Sequence, residues 1–250
     1  MNNADTPLRL SKLMSQLGLS SRREADKLIE QGLVMVNGEV VKELGSKVLP
    51  TDKVEILSRG QKILDSKLTL ILNKPIGLVS SQPEDGYESA MTLLQINNRI
   101  LNTKDESLKL NLKNMAPTGR LDIDSKGLII YTQDGVVAKK IIGENSTIDK
   151  EYIVQFNGVI NDEKLQKLRH GLSLDDIKLR EAKVELINSH TLNMVLKQGR
   201  KRQIRRMLKL VDLHVTHLKR VRIGPIELES LEDSKWRLLT KDEIKKILEY

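Results

Sequence analysis

Residues 117–128 read Pro117-Thr118-Gly119-Arg120-Leu121-Asp122-Ile123-Asp124-Ser125-Lys126-Gly127-Leu128, and this stretch decides how the rest of the chain is read. Gly119 permits a tight backbone turn and Arg120 supplies a permanent cation. Leu128-Ile129-Ile130-Tyr131 predicts a short buried strand that ends at the Gln133-Asp134-Gly135 turn. Asp122 stands within a few residues of that core strand, where a carboxylate needs a partner or a chemical task.

Two further segments lie downstream. Lys150-Glu151-Tyr152-Ile153-Val154 alternates as a strand does and places Tyr152 on the face opposite Ile153. Gln198-Gly199-Arg200-Lys201-Arg202-Gln203-Ile204-Arg205-Arg206-Met207 carries two interleaved stripes at helical spacing. Ile204, Met207, Leu208 and Val211 share one face, and Arg202, Arg205, Arg206 and Lys209 share the other. No acidic residue falls within the segment, which leaves its cations free for phosphate. Arg205 lies nearer the apolar boundary than Arg202, so it is the arginine placed to turn inward.

Upstream, Leu68-Thr69-Leu70-Ile71-Leu72 predicts a buried strand leading into Asn73-Lys74-Pro75-Ile76-Gly77. Before it, the spacing predicts one helix over 8–19 and a second from Ser21, where Ser21-Arg22-Arg23-Glu24 has the capping-box form. Val34-Met35-Val36-Asn37-Gly38-Glu39-Val40-Val41 predicts a hairpin with Asn-Gly at its turn, followed by a strand over 53–57. Arg22 and Arg23 oppose the helix dipole, a placement that favours an external anion. The polar stretch 58–67 reads as a linker between a first domain over 7–60 and a second over 68–245. Residues 93–115 are polar, rich in Asn and Lys, and read as an insertion or loop.

The chain has 250 residues, a formal charge of +8 and no cysteine. The charge suits a polyanion, and the missing cysteine excludes disulfides, thiolate metal sites and cysteine nucleophiles. No apolar run is long enough to span a bilayer and residues 1–10 lack a signal-peptide core, so a cytoplasmic protein without membrane association is expected. Aromatic residues make up only 2% of the chain, too few for an extended base-stacking platform. His214 and His217, an odd number of residues apart in a strand-like run, point to opposite faces and do not suggest a metal pair. Asp122 and Asp124 have no third acid or histidine close in sequence to complete a metal site.

Together these segments resemble the RsuA/RluB/RluE/RluF family of ribosomal RNA pseudouridine synthases. Gly119-Arg120-Leu121-Asp122 resembles their G-R-L-D motif, Asn73-Lys74-Pro75-Ile76-Gly77 their N-K-P-x-G segment, and Lys150-Glu151-Tyr152 their K-x-Y segment. The 198–207 string is similar to their third motif, with a leaning towards the RluF-like branch, and Trp236-Arg237-Leu238-Leu239-Thr240 resembles their closing W-R-x-L-T. The first domain is similar to the S4 RNA-binding module. The resemblance implies an α+β protein in which an S4-like domain precedes a catalytic domain built on a central, mostly antiparallel sheet. It further implies Asp122, Tyr152 and Arg205 as catalytic residues, Tyr152 stacking on the base and Arg205 pairing with Asp122. Arg22, Arg23, Arg120, Arg200, Arg202, Ile204, Arg206 and Lys74 are expected to bind substrate, Arg120 by entering the RNA stack and Ile204 by lining the base pocket.

The implied function is isomerisation of a uridine in ribosomal RNA, in 23S RNA, by a monomer acting on RNA or on a ribosome assembly intermediate. The reaction has no net redox change and calls for no cofactor or metal. Asp122 is open to two roles, nucleophile or base at the sugar. The competing readings are a non-catalytic S4-type assembly factor and a synthase acting on 16S or transfer RNA.

Overall fold

The structure is a computed structural model and describes residues 6–101 and 110–250. The chain divides into two compact units, the first running to Leu68 and including Thr132–Lys139, the second comprising Thr69–Tyr131 and Lys140–Tyr250.

The first unit contains β1 (Leu8–Arg9), α1 (Leu10–Gln16), α2 (Arg22–Glu30), β2 (Val34–Val36), β3 (Glu39–Val41), β4 (Lys47–Val48), β5 (Val54–Ile56) and α3 (Ser58–Asp65). The capping box at Ser21 forms: Ser21 Oγ accepts from the Glu24 amide, and a Glu24 carboxylate oxygen accepts from the Ser21 amide at 2.6 Å. The helical stripe Leu10, Leu13 and Met14 packs on Ala25, Leu28 and Ile29, and Leu33, Val34 and Val48 close the cluster. Full burial of each large apolar side chain contributes about 1.5–3 kcal/mol. Asn37 and Gly38 both take positive φ, the geometry of a two-residue hairpin turn between β2 and β3.

Two expectations need correction here. The first helix is shorter than 8–19, because the Leu8 and Arg9 backbones pair with β4 before α1 begins. The polar stretch 58–67 is not an open linker, since Ser58–Asp65 forms α3 and Leu64 packs against the core cluster. Gly60 makes this possible. A Cβ there would stand 2.7 Å from Ile56 Cγ2, so only glycine lets the helix lie this close.

The second unit contains β6 (Thr69–Lys74), β7 (Ala116–Pro117), β8 (Lys126–Thr132, entering the first unit at its last residue), the end of α4 (Gly135–Ile142), β9 (Lys150–Asn157) and α5 (Asp162–Arg169). It continues with β10 (Ser173–Leu174), β11 (Ile177–Lys178), β12 (Lys183–Asn188), β13 (Thr191–Leu196), α6 (Gln203–Lys209), β14 (His214–Ile223), β15 (Ile226–Glu227), β16 (Trp236–Leu238) and α7 (Lys241–Glu249). The principal sheet has the order β12-β13-β9-β14-β8-β6-β16, with β15 and β7 attached at β14 and β8. Neighbours pair antiparallel at β12/β13, β13/β9, β9/β14 and β6/β16, while β14 and β8 run parallel. The mostly antiparallel α+β architecture implied by the motifs is therefore present.

A register shift between Val215 and His217 alters the histidine expectation. The irregularity resets the alternation, so His214 and His217 are both exposed instead of facing opposite ways. Of the 93–115 stretch, 102–109 lies outside the described residues. The part before it is anchored on Trp236, whose Nε1 donates to the Gln95 carbonyl at 2.9 Å and whose carbonyl accepts from Ile100.

Arg222 ties three strands together. Its Nε donates to Glu151 at 2.7 Å, its Nη1 to Asp149 at 2.7 Å and to the Gly224 carbonyl at 2.8 Å, and Glu151 also accepts from Asn193 of β13. The Arg222 hydrogen bonds hold the Glu151 carboxyl below its ordinary value of 4.5. Arg222→Ala leaves two half-buried carboxylates without their cation and should cost about 3 kcal/mol. Because Glu151 is depressed in the folded state, its share of this stability is present above pH 4.5 and disappears as pH falls through the folded value. Denaturant titration should therefore show a wild-type advantage at pH 7 that narrows in acid, and a gap that is constant with pH would contradict it.

Candidate active site

The turn between β7 and β8 carries Asp122, and its backbone is held at every step. The Gly119 and Arg120 carbonyls accept from Arg220 Nη2 and Nη1 at 3.2 and 3.5 Å. Leu121 is gripped on both sides by the buried Ser80 hydroxyl, which accepts from its amide at 2.8 Å and donates to its carbonyl at 2.7 Å. The Asp122 carbonyl accepts from the Ser125 amide, the Ile123 carbonyl from the Gly77 amide, and the Asp124 carbonyl from Arg205 Nη2 at 2.7 Å. Six consecutive carbonyls, from Gly119 to Asp124, thus have donors.

The side chains divide unequally. Asp124 takes the arginines: Arg202 donates from Nη1 and Nη2 to its two carboxylate oxygens at 3.1 and 2.8 Å, and Arg205 Nε lies 3.2 Å from Oδ2. That last contact is an ion pair without the alignment of a hydrogen bond. Burial pushes the Asp124 carboxyl up, but the Arg202 hydrogen bonds and the charges of Arg205 and Arg202 outweigh it and hold the group below the usual range. The half-buried Asp122 carboxylate makes no hydrogen bond or ion pair with any described residue, although it contributes to the electrostatic environment of Lys74, Arg202 and Arg205. The resemblance implied a pair between Arg205 and Asp122. The structure has Arg205 on Asp124 instead, because the carbonyl and carboxylate of one residue offer it two contacts at once.

Asp122 opens into a cleft of about 860 Å³ in the second unit. The cleft brings Asp122, Tyr152, Arg205, Arg120, Ile204, Arg200 and Arg202 together from segments far apart in sequence. Ten lysine and arginine side chains line it against three carboxylates, those of Glu84, Asp122 and Glu144, so its field attracts an anion. Tyr152, the third residue of β9, lines the cleft and is 8% exposed. Ile204 is buried under α6 with Met207 and Leu208, as its helical stripe required. Arg120 is exposed, with a single contact to Glu84 at 3.5 Å.

Other expected residues sit elsewhere. Lys74 does not reach the cleft: it is fully enclosed, and Nζ donates to the Pro75 and Leu78 carbonyls at 2.8 Å each. Burial, with a contribution from the Arg220 charge and against the pull of Asp122 and Asp124, lowers it to about 8. Lys74 therefore closes the turn that presents Gly77 to Ile123. Arg206 is committed to Asp175 by two bonds at 2.6 and 3.0 Å. Acids from outside the 198–207 segment thus neutralise cations that the segment alone leaves free. Arg22 and Arg23 are exposed at the first turn of α2 in the first unit.

Ser80, Asp124, Lys150 and Arg220 are site residues that the motif reading passed over. For two of them a signal exists, since strand alternation puts Lys150 on the face of Tyr152 and Arg220 on that of Leu218. Among the described residues no group of three or more His, Asp or Glu side chains is arranged to hold a metal ion, and no helix is long and apolar enough to cross a membrane.

The model of the RNA pseudouridylate synthase family matches residues 68–210, and that of the S4 domain residues 8–54. The chain belongs to the RNA pseudouridine synthase family. It is 32% identical over 246 residues to the ribosomal large subunit pseudouridine synthase B of Bacillus subtilis, with 96% and 95% of the two chains covered. It is 34% identical over 242 residues to the dual-specificity RNA pseudouridine synthase RluF of Salmonella typhi, covering 96% of this chain and 78% of that one. A crystal structure of a pseudouridylate synthase superposes with a TM-score of 0.64 at 26% identity, covering 96% of this chain and 99% of that one. Family membership makes the chain an enzyme, and the turn at Asp122 lies within the matched synthase region.

Ser80 holds the turn that carries Asp122, so its removal tests what that turn contributes to the reaction. Ser80→Ala strips a donor and an acceptor from the buried Leu121 backbone, worth about 1–3 kcal/mol. A single-turnover assay on RNA should show a rate loss of about tenfold or more with RNA affinity nearly unchanged, and Ser80→Thr should restore part of it. A full rate in Ser80→Ala would mean that the turn does not depend on this grip.

Proposed function

We propose that this synthase converts a uridine of ribosomal RNA, in the large ribosomal particle, to pseudouridine, with the Asp122 carboxylate as the reacting group. One observation carries the reading: among the described residues the Asp122 carboxylate has no hydrogen-bond or ion-pair partner, on a turn whose carbonyls from Gly119 to Asp124 all accept hydrogen bonds, inside a cationic cleft. The reaction breaks C1′–N1, turns the base and forms C1′–C5, and the proton lost from C5 is balanced by one gained at N1. Asp122 acts at the sugar, as nucleophile at C1′ or as base. A carboxylate free of hydrogen bonds and ion pairs keeps its lone pairs available for reaction.

Tyr152 covers the turned-out base, which recovers about 1–3 kcal/mol of an unstacking cost of a few kcal/mol. Ile204 forms the apolar wall of the base pocket, and Arg120, exposed and weakly held, enters the stack that the uridine leaves. Arg202 and Arg205 act through Asp124 to fix the turn. Arg22 and Arg23, at the first turn of α2 where their charges oppose the dipole, anchor RNA phosphates and supply affinity. The name of the Bacillus subtilis relative supports a target in 23S RNA, and the dual specificity in the name of the Salmonella typhi relative is the reason to test other RNAs alongside it. The enzyme is proposed to act as a cytoplasmic monomer on RNA or on an assembling ribosomal particle.

Mapping pseudouridine in 23S, 16S and transfer RNA from cells with and without the protein tests the reading. Loss of a 23S site is expected, loss confined to 16S or transfer RNA would reassign the substrate, and an unchanged map would contradict the function. Tyr152→Phe should keep the stack and most of the rate, whereas Tyr152→Ala should lose about 1–3 kcal/mol of stacking and fall about tenfold or more. Equal rates for both variants would remove Tyr152 from the base. Replacing Arg22 and Arg23 with alanine should weaken RNA binding and flatten its log–log salt dependence by about 0.7 for each lost single-strand phosphate contact. A collapsed maximal rate with an unchanged slope would instead assign these residues to the active site.

A further inference from the structure

Two cations at one end of the cleft have no carboxylate partner. Lys150, the first residue of β9, is 8% exposed, and its Nζ has one hydrogen bond, a long one of 3.3 Å to the Ile148 carbonyl. Arg220 is 1% exposed and spends its guanidinium on the carbonyls of Leu128, Gly119 and Arg120. Both approach Gly119, where an added Cβ would meet Lys150 Cε at 3.9 Å and Arg220 Nη1 at 4.0 Å, and the Arg220 charge acts on Lys150. Among the described residues neither forms an ion pair. The nearest acid in sequence, Asp149, is taken by Arg222 and Tyr250. Asp149 still acts on Lys150 through its charge without pairing to it, and Glu144 lines the same cleft without pairing to either cation.

Their degrees of freedom differ. Arg220 is pinned by three carbonyls and serves the turn, whereas Lys150 keeps two unspent N–H donors and its charge. A buried ammonium beside a second cation is costly until an anion joins it. A uracil carbonyl is neutral and offsets neither charge, whereas a phosphodiester brings one negative charge to the pair.

We propose that Lys150, backed by Arg220, forms a subsite for one backbone phosphate of the RNA strand bound in the cleft. The subsite fixes the sugar-phosphate of the bound nucleotide while Tyr152, two residues further along the same face of β9, contacts its base. Both grips on the nucleotide thus come from one strand. The proposal rests on the cleft being the RNA site.

Ligand-observed NMR on the full chain with uridine, uridine 3′-monophosphate, uridine 5′-monophosphate and inorganic phosphate as separate probes tests it. One of the two monophosphates should bind the wild-type protein about tenfold or more tighter than uridine, the yield of one charge-assisted hydrogen bond. Lys150→Met should bring the two within about twofold by removing that bond, and Lys150→Arg should restore most of the gap. Lys150→Gln, which keeps a hydrogen-bond donor without the charge, serves as a second neutral variant and should close the gap in the same way. A gap that persists in the neutral variants, or its absence in the wild type, overturns the subsite. Inorganic phosphate binding as tightly as the monophosphate would overturn the assignment to RNA and leave a general phosphate site. These measurements involve no turnover, so an unchanged cellular pseudouridine map would defeat the proposed function without altering their outcome.

Discussion

Six carbonyl groups in a row, from Gly119 to Asp124, each accept a hydrogen bond, and the donors come from four separate parts of the second unit. Arg220 arrives from β14, Ser80 and Gly77 from the segment after β6, Arg205 from α6, and Ser125 from the turn itself. Such a turn cannot relax in one place without breaking bonds in another, so its one unpaired carboxylate is held in a fixed position. The arrangement depends on Gly127, where β8 and β14 pair in parallel with Gly127 opposite Arg220. A Cβ at Gly127 would overlap the Arg220 main chain, and φ there is +108°. Without glycine at this point β14 would be pushed away and the guanidinium would no longer reach Gly119 and Arg120.

The electrostatics follow from the same geometry. Two aspartates stand two residues apart, and the structure gives the arginines to only one of them. Asp124, paired and hydrogen-bonded, works as an anchor, while Asp122 has no hydrogen bond or ion pair among the described residues and lines the cleft. This separation meets two requirements of the role proposed for Asp122, that the carboxylate be oriented and that it be available. Lys74 acts in the same scheme from below, as an enclosed cation that closes the turn presenting Gly77.

Much of this was legible in the chain, and what was missed has a common cause. The apolar stripes of α2 and α6, the Asn37-Gly38 hairpin and the buried runs of β6 and β8 are local patterns that appear where their periodicity put them, and the α1 stripe does so within a shorter helix. Ile204 and Tyr152, from motifs far apart in sequence, both line the cleft. Pairing between distant residues was not legible. Arg202 and Arg206 looked free because their acids, Asp124 and Asp175, lie 78 and 31 residues away. The 58–67 stretch looked like a linker because the contact that Gly60 allows with Ile56 depends on how the helix is seated, which composition does not encode. The shift near His217 and the enclosure of Lys74 likewise depend on neighbouring strands and turns brought together only by the fold.

The central claim is that an anchored turn leaves the charge of Asp122 to perform the chemistry. The most direct measurement sets Asp122→Asn beside the wild type, following pseudouridine formed in a single turnover and RNA affinity in the same preparation. The amide keeps the shape and removes the charge, so the account predicts no detectable product with RNA affinity within a few-fold of wild type. Product formed by the variant at a measurable rate would contradict it.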